Sequence, residues 1–310
     1  MSDIQLFRLS NGAASELPGQ AAKLEKQLQA LIEANMPAFL GARFLASEYA
    51  TGKTHKGRID TLGLDENGCP VIIEYKRHSN ENVINQGLFY LDWLLDHQAE
   101  FRWLVMEQLG KDVAEHIEWS GTRLLCIAAD FTRYDQHAVQ QIPRNIELIR
   151  YKLFGDDLLL LELVNAQSVA DATASKPGQT DQPTEPEVPK AAGKDKSLDE
   201  QLALASTEIR DLYAQLTGSL VALGDDVQEK RLKLYTAFRR LKNFACVIVY
   251  PNRILVTLKL DPASVEQEEG FSRDVSQVGH WGTGDVELTL RTLTDLERAK
   301  PLLERSYAEG

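Results

Sequence analysis

Cysteine is scarce in this chain. Cys69, Cys126 and Cys246 lie far apart and are odd in number. That excludes a disulfide framework and any Cys-based zinc spacing, and it fits a reducing cytoplasm. Histidine is sparse too: His55, His78, His97, His116 and His137 show no ligand spacing. No apolar run reaches the ~20 residues that cross a bilayer. The densest, residues 158–163, contains Glu162. Met1-Ser2-Asp3-Ile4-Gln5-Leu6-Phe7 has neither a basic region nor an apolar core, so no signal peptide and no membrane partner are expected. Positive charge is in deficit, with a formal net charge of −12. That sign argues against tight, non-specific binding of bulk duplex, although a local basic groove remains compatible with it. The loop Gly279-His280-Trp281-Gly282-Thr283-Gly284 lacks the Lys-Ser/Thr ending of a P-loop, so nucleotide binding is not expected there. His280 and Trp281 are left as a candidate contact surface.

What is present suits a soluble globular protein: 43% hydrophobic and 26% charged residues over 310 positions. The length allows two domains, each with its own core. Residues 166–199 are rich in Pro, Gly, Ser and Thr and poor in apolar side chains, the composition of a disordered linker. The expected division is therefore 1–165, a linker over 166–199, and 200–310.

Within the first part, Gly57-Arg58-Ile59-Asp60-Thr61-Leu62-Gly63-Leu64 and Val71-Ile72-Ile73-Glu74-Tyr75-Lys76 flank Asn67-Gly68. Asn-Gly between β-like runs is a strong hairpin signal, because both residues tolerate positive φ. Strand side chains repeat with period two, so Glu74 and Lys76 share a face with Tyr75 opposite. Pairing brings Asp60 close to them. Two carboxylates and an ammonium among apolar neighbours are costly unless paired or bound to a metal. The carboxylate pair suits Mg²⁺ or Mn²⁺ and metal-assisted phosphodiester hydrolysis, with the lysine orienting water or stabilising charge. A surface hairpin with an ordinary Glu–Lys pair is the plain alternative.

Gly57-Arg58-Ile59-Asp60, a spacer, and Glu74-Tyr75-Lys76 resemble the PD-(D/E)xK nuclease superfamily, in its NucS-like branch. Ile59 stands where the family carries Pro. Gln86-Gly87-Leu88-Phe89-Tyr90 resembles the Gln-x-x-x-Tyr motif of RecB-type nucleases. Glu25 falls where the family carries a helical Glu that completes the metal site. The resemblance covers roughly residues 20–165. It implies an α/β protein with a restriction-endonuclease-like αβββαβ core. It also implies metal ligation by Asp60, Glu74 and Glu25, and catalytic roles for Asp60, Glu74, Lys76 and Gln86. Tyr90, Lys53, Lys56, Arg58 and Arg77 are the expected nucleic-acid contacts. Solvated loop or helix faces are the plain readings of Lys53, Lys56, Arg58 and Glu25.

The expected activity is a Mg²⁺- or Mn²⁺-dependent cytoplasmic endonuclease acting on DNA, and a homodimer is compatible with it. A catalytically inactive nucleic-acid-binding module on the same fold is the first alternative. An interaction protein with no nucleic-acid role is the second. Periodicity predicts helices over 20–34 and 81–97, a buried strand over 124–130, a helix over 134–142 and a closing hairpin around Gly155-Asp156. The second domain reads as smaller and α+β, resembling an uncharacterised C-terminal domain fused to nuclease-like modules. Helices are predicted over 204–223, 227–241 and 294–308, with strands at 244–250, 253–260 and 286–290. The basic run Lys230-Arg231-Leu232-Lys233 to Arg239-Arg240-Leu241-Lys242 is assigned to a helix. It either contacts phosphates or is a solvated face.

Overall fold

A computed structural model describes residues 4–52, 56–77, 82–167 and 196–310. It is mixed α/β and divides into two compact units, Met1–Thr173 and Ala174–Gly310. Most of the expected linker, 168–195, lies outside the described residues. So do Lys53, His55 and His78.

The first unit opens with a hairpin, β1 (Leu6–Ser10) and β2 (Ala13–Leu17), followed by β3 (Gly19–Gln20). Next come α1 (Glu25–Ala34) and α2 (Met36–Leu40), then β4 (Ala42–Ala50), β5 (Arg58–Asp65) and β6 (Pro70–Lys76). The chain continues through α3 (Asn82–Asp96), α4 (Gln98–Leu109) and α5 (Lys111–Glu115) to β7 (Arg123–Ala128). It closes with α6 (Arg133–Gln140), β8 (Asn145–Phe154) and β9 (Leu158–Gln167). Seven strands form one sheet in the order β3-β8-β7-β6-β5-β4, with β9 on β8. The β6–β7 and β7–β8 pairs are parallel. The helix predicted to start at 20 starts at Glu25, and Pro37 near the start of α2 lets a second short helix follow Asn35.

Strand parity sorts the sheet into two faces. Leu62, Leu64, Ile72, Leu124 and Cys126 join a buried cluster with Tyr90, Leu91 and Leu94 of α3. On the opposite face Thr61 Oγ1 donates to Glu33 Oε1 of α1 at 2.6 Å. The sheet is thus covered by α3 on one side and α1 on the other. Gly68 takes φ 75° at the β5–β6 turn. Asp65 Oδ1 caps that turn by accepting from Asn67 N and Cys69 N, both at 2.9 Å. Buried Arg123 then ties the turn to the neighbouring strands through ion pairs with Asp65 and Glu147.

The second unit contains α7 (Leu198–Leu204), α8 (Thr207–Val221), β10 (Gln228–Arg231), β11 (Thr236–Arg239) and β12 (Asn243–Tyr250). After β13 (Arg253–Leu258), β14 (Ser272–Asp274) and β15 (Val286–Leu290) comes α9 (Leu293–Glu309). Its six-stranded sheet runs β10-β11-β12-β13-β15-β14. Leu212 and Leu216 of α8 and Leu296 and Leu303 of α9 pack on Val247, Val256 and Leu288 of that sheet.

The helix expected over 227–241 is a correction: this stretch is the β10–β11 hairpin. The charged Gln228-Glu229-Lys230-Arg231 reads as helix by propensity. The pairing of β10 with β11 and of fully buried β11 with β12 decides for strand. Two arginines of this stretch are also committed within the unit. Buried Arg239 donates to the Leu241 carbonyl at 2.8 Å. Arg240 pairs with Asp226 at 2.6 Å and lies over the Tyr307 ring. The basic helix face expected there for phosphate contact does not exist.

Candidate active site

The β5–β6 register pairs Thr61 with Ile73, which sets Asp60 beside Glu74 at the end of the pair. Two backbone N–H groups lock the carboxylates. Asp60 N donates to Glu74 Oε1 at 3.2 Å, and Tyr75 N donates to Asp60 Oδ2 at 3.0 Å. Glu74 is fully buried, and its Oε2 is buried with no hydrogen-bond partner. Asp60 is partly exposed. Burial pushes the Glu74 carboxyl up to about 9, and Asp60 reinforces the rise, against the pull of the Asp60 N–H and Lys76. Burial also raises Asp60, while the Tyr75 N–H and Lys76 draw it down. Both carboxyls are therefore held above their ordinary range, Asp60 chiefly by lack of solvent and Glu74 by lack of solvent and by Asp60.

Lys76 follows on the same face, its side chain 17% exposed, with Nζ 3.4 Å from Glu25 Oε1. The other Glu25 oxygen accepts from Arg77 N at 3.0 Å. Glu25 reaches this end of the sheet because it is the first residue of α1. Glu25, expected as a third metal ligand, is the partner of Lys76 and Arg77 in this structure. Among the described residues no group of three or more His, Cys, Asp or Glu converges to hold a metal. Asp60 and Glu74 are the carboxyl pair at this end of the sheet that could hold a metal ion. An orphaned, desolvated carboxylate oxygen beside a second carboxylate fits a hard divalent cation that keeps most of its waters.

Gln86 and Tyr90 come from one face of α3, four residues apart. Gln86 Nε2 lies 3.4 Å from Tyr90 Oη, and Tyr90 Oη accepts from Arg58 N at 3.2 Å. The Tyr90 ring is buried. Expected as a nucleic-acid contact, Tyr90 here holds the start of β5 in place, with Gln86 beside its hydroxyl. Lys56, Arg58 and Arg77 are exposed around the site, with Arg58 3.5 Å from Glu48.

Three contributors escaped the sequence reading. Gln29, buried in α1, places Nε2 2.8 Å from the Asp60 carbonyl, 3.1 Å from Ser47 Oγ and 2.9 Å from Glu33 Oε1. Glu33 in turn receives Thr61. Glu48 pairs with both Lys26 and Arg58. The spacing of Glu25, Gln29 and Glu33 at four-residue steps was the available signal, since it defines a polar stripe along α1.

Comparison with known proteins gives two kinds of similarity. Residues 198–309 match a family model described as "Domain of unknown function (DUF5655)". An uncharacterized protein of Haemophilus influenzae is 28% identical over 311 residues, covering 99% of this chain and all of that protein. Among solved structures, the chain is similar to a repair endonuclease from Pyrococcus abyssi, with 20% identity and a TM-score of 0.29. That match covers 42% of this chain and 47% of the other. An EndoMS-dsDNA2 complex is matched with 20% identity and a TM-score of 0.28, over 41% of this chain and 44% of the other. The chain thus spans less than half the length of either solved structure.

Proposed function

We propose that the first unit is a metal-dependent endonuclease that hydrolyses phosphodiester bonds in DNA. The observation that carries this reading is the buried Asp60–Glu74 pair with its unpartnered Glu74 Oε2. Two carboxylates forced together away from water gain most when a cation joins them. Asp60 and Glu74 would hold Mg²⁺ or Mn²⁺, which when bound acidifies water and neutralises charge on a phosphoryl group. Lys76 is the charge-stabilising or water-orienting group, and Glu25 fixes where its ammonium sits. Gln29 holds the Asp60 carbonyl, and Tyr90 holds the Arg58 amide, so both carboxylates approach substrate from a rigid strand pair. Exposed Lys56, Arg58 and Arg77 supply the local positive charge that an otherwise acidic protein needs to receive a phosphate backbone.

Labelled duplex, mismatched and branched DNA, incubated with the full chain and Mg²⁺ or Mn²⁺, tests the proposal. Cleavage of at least one substrate is expected. It should be lost with EDTA and in Asp60→Asn. Metal-independent cleavage, or cleavage that survives Asp60→Asn, would remove the reading.

A further inference from the structure

The second unit carries a cavity that the nuclease reading does not use. Ile254, Val256 and Leu258 of β13 and Val286, Leu288 and Leu290 of β15 point into the core. The alternate positions, Arg253, Leu255, Glu287, Thr289 and Arg291, therefore face the other way. The register sets Leu255 opposite Thr289 and Arg273 of β14 opposite Glu287. Because Ile254 pairs with Leu290, Arg253 and Arg291 meet at one end of the two strands. On this face lies a cavity of about 260 Å³, lined by the three arginines and by Leu255, Phe271 and Thr289. Glu287 is the sole acid among the described residues that line it, so the lining carries two net positive charges.

The guanidiniums are held, not merely solvated. Arg253 lies 4.9 Å over the Tyr250 ring. Arg273 Nε donates to Glu287 Oε1 at 2.6 Å, and Arg291 Nη1 donates to the Gly270 carbonyl at 2.9 Å. Each contact takes up only part of the five donors of a guanidinium.

We propose that this cavity binds a phosphate monoester dianion carried on a small organic group. The two net charges match the dianion, and planar guanidinium forks match phosphate oxygens. The Thr289 hydroxyl adds a donor. Leu255 and Phe271 offer apolar contact to the carbon part. The volume lies just below the range of about 300–1,000 Å³ usual for small-molecule sites, so the organic group is no larger than about a nucleoside. The same chemistry is presented by a free monophosphate and by the 5′-phosphate end of a DNA strand.

Titration calorimetry on the full chain in EDTA tests this. The probes are a nucleoside 5′-monophosphate, its nucleoside, succinate, and a short oligodeoxynucleotide with and without a 5′-phosphate. The monophosphate is expected to bind at least tenfold more tightly than the nucleoside. Preference for the 5′-phosphorylated strand assigns the ligand to a nucleic-acid end; binding of the free monophosphate alone assigns it to a small molecule. Arg253→Gln and Arg291→Gln should each weaken binding about tenfold or more, the usual range for a lost charge-assisted hydrogen bond. Glu287→Gln should tighten it, because it removes the competing carboxylate from Arg273; misfolding cannot produce that sign. Asp60→Asn should change nothing here, which separates this site from the nuclease centre. Equal affinity for nucleoside and monophosphate, succinate binding as tightly, or Glu287→Gln binding no better than the wild type would overturn the proposal.

Discussion

At the scale of single residues, the labour of the proposed nuclease site is divided between the Asp60–Glu74 pair and Lys76. Asp60→Asn keeps the shape but removes a charge the cation needs, so calorimetric Mn²⁺ affinity and cleavage should both fall. Lys76→Ala removes no ligand. Mn²⁺ should still bind, while single-turnover cleavage drops by about a hundredfold, the range seen when one preorganised charge-stabilising group is deleted. Normal cleavage by Lys76→Ala would make Lys76 a mere partner of Glu25. The same pair predicts a pH effect on stability. The folded state raises the Glu74 carboxyl to about 9, so it favours protonated Glu74 more than the unfolded chain does. That contribution is complete below the ordinary glutamate range and is lost as pH rises towards 9. In metal-free protein, Glu74→Gln should therefore be more stable than wild type at pH 7, by about 3 kcal/mol, because pH 7 lies about 2.5 units above the ordinary glutamate value. Thermal melts from pH 5 to 9 should show the gap widening with pH. A constant gap would mean that Glu74 is not protonated in the fold. These residues were legible because strand parity and a short hairpin fix their relation locally. Gln29 was not, because a buried glutamine on a helix reads as a solvated face until the strand carbonyl it serves is known.

At the scale of elements, the site depends on how tightly α3 lies against the start of β5. Gly57 makes this contact: a Cβ there would stand 2.5 Å from Tyr90 Cε1. Tyr90 is buried, so its ring must shift within the core to make room. Gly57→Ala should therefore destabilise the first unit by about 1–3 kcal/mol, the usual cost of overpacking. It should also lower kcat more than it raises KM, because the Tyr90–Arg58 bond that sets β5 is displaced. Denaturant midpoints and steady-state kinetics check both, and an unchanged midpoint would mean that the ring is not wedged there. The β5–β6 hairpin and α3 were legible from Asn67-Gly68 and from helical spacing. The β10–β11 hairpin was not, since Lys230, Arg231 and Arg239 favour a helix in isolation and only the β10–β11–β12 ladder makes them strand. Propensity is weak evidence wherever a neighbouring strand can supply a full ladder of hydrogen bonds.

At the scale of the molecule, no described helix is long and apolar enough to cross a membrane, and each unit contains a buried cluster of its own. The first cluster draws on Leu62, Ile72, Tyr90 and Leu124; the second draws on Leu216, Val247, Val256 and Leu303. Each cluster draws its residues from one unit, and a core of its own is what independent folding requires. Residues 1–167 and 196–310, expressed separately, should each unfold in one cooperative transition. Calorimetric and van't Hoff enthalpies should agree for each piece. The functional readings should separate along the same line. Metal-dependent cleavage should remain with 1–167, and monophosphate binding should remain with 196–310 at the affinity of the full chain. A piece that fails to fold alone would show that its core is completed by the other unit. A folded 1–167 that binds Mn²⁺ but no longer cleaves would assign substrate capture to the second unit. Mixing in 196–310 in trans should then leave activity low at micromolar concentration, because a covalent tether supplies an effective concentration of about millimolar that free pieces lack.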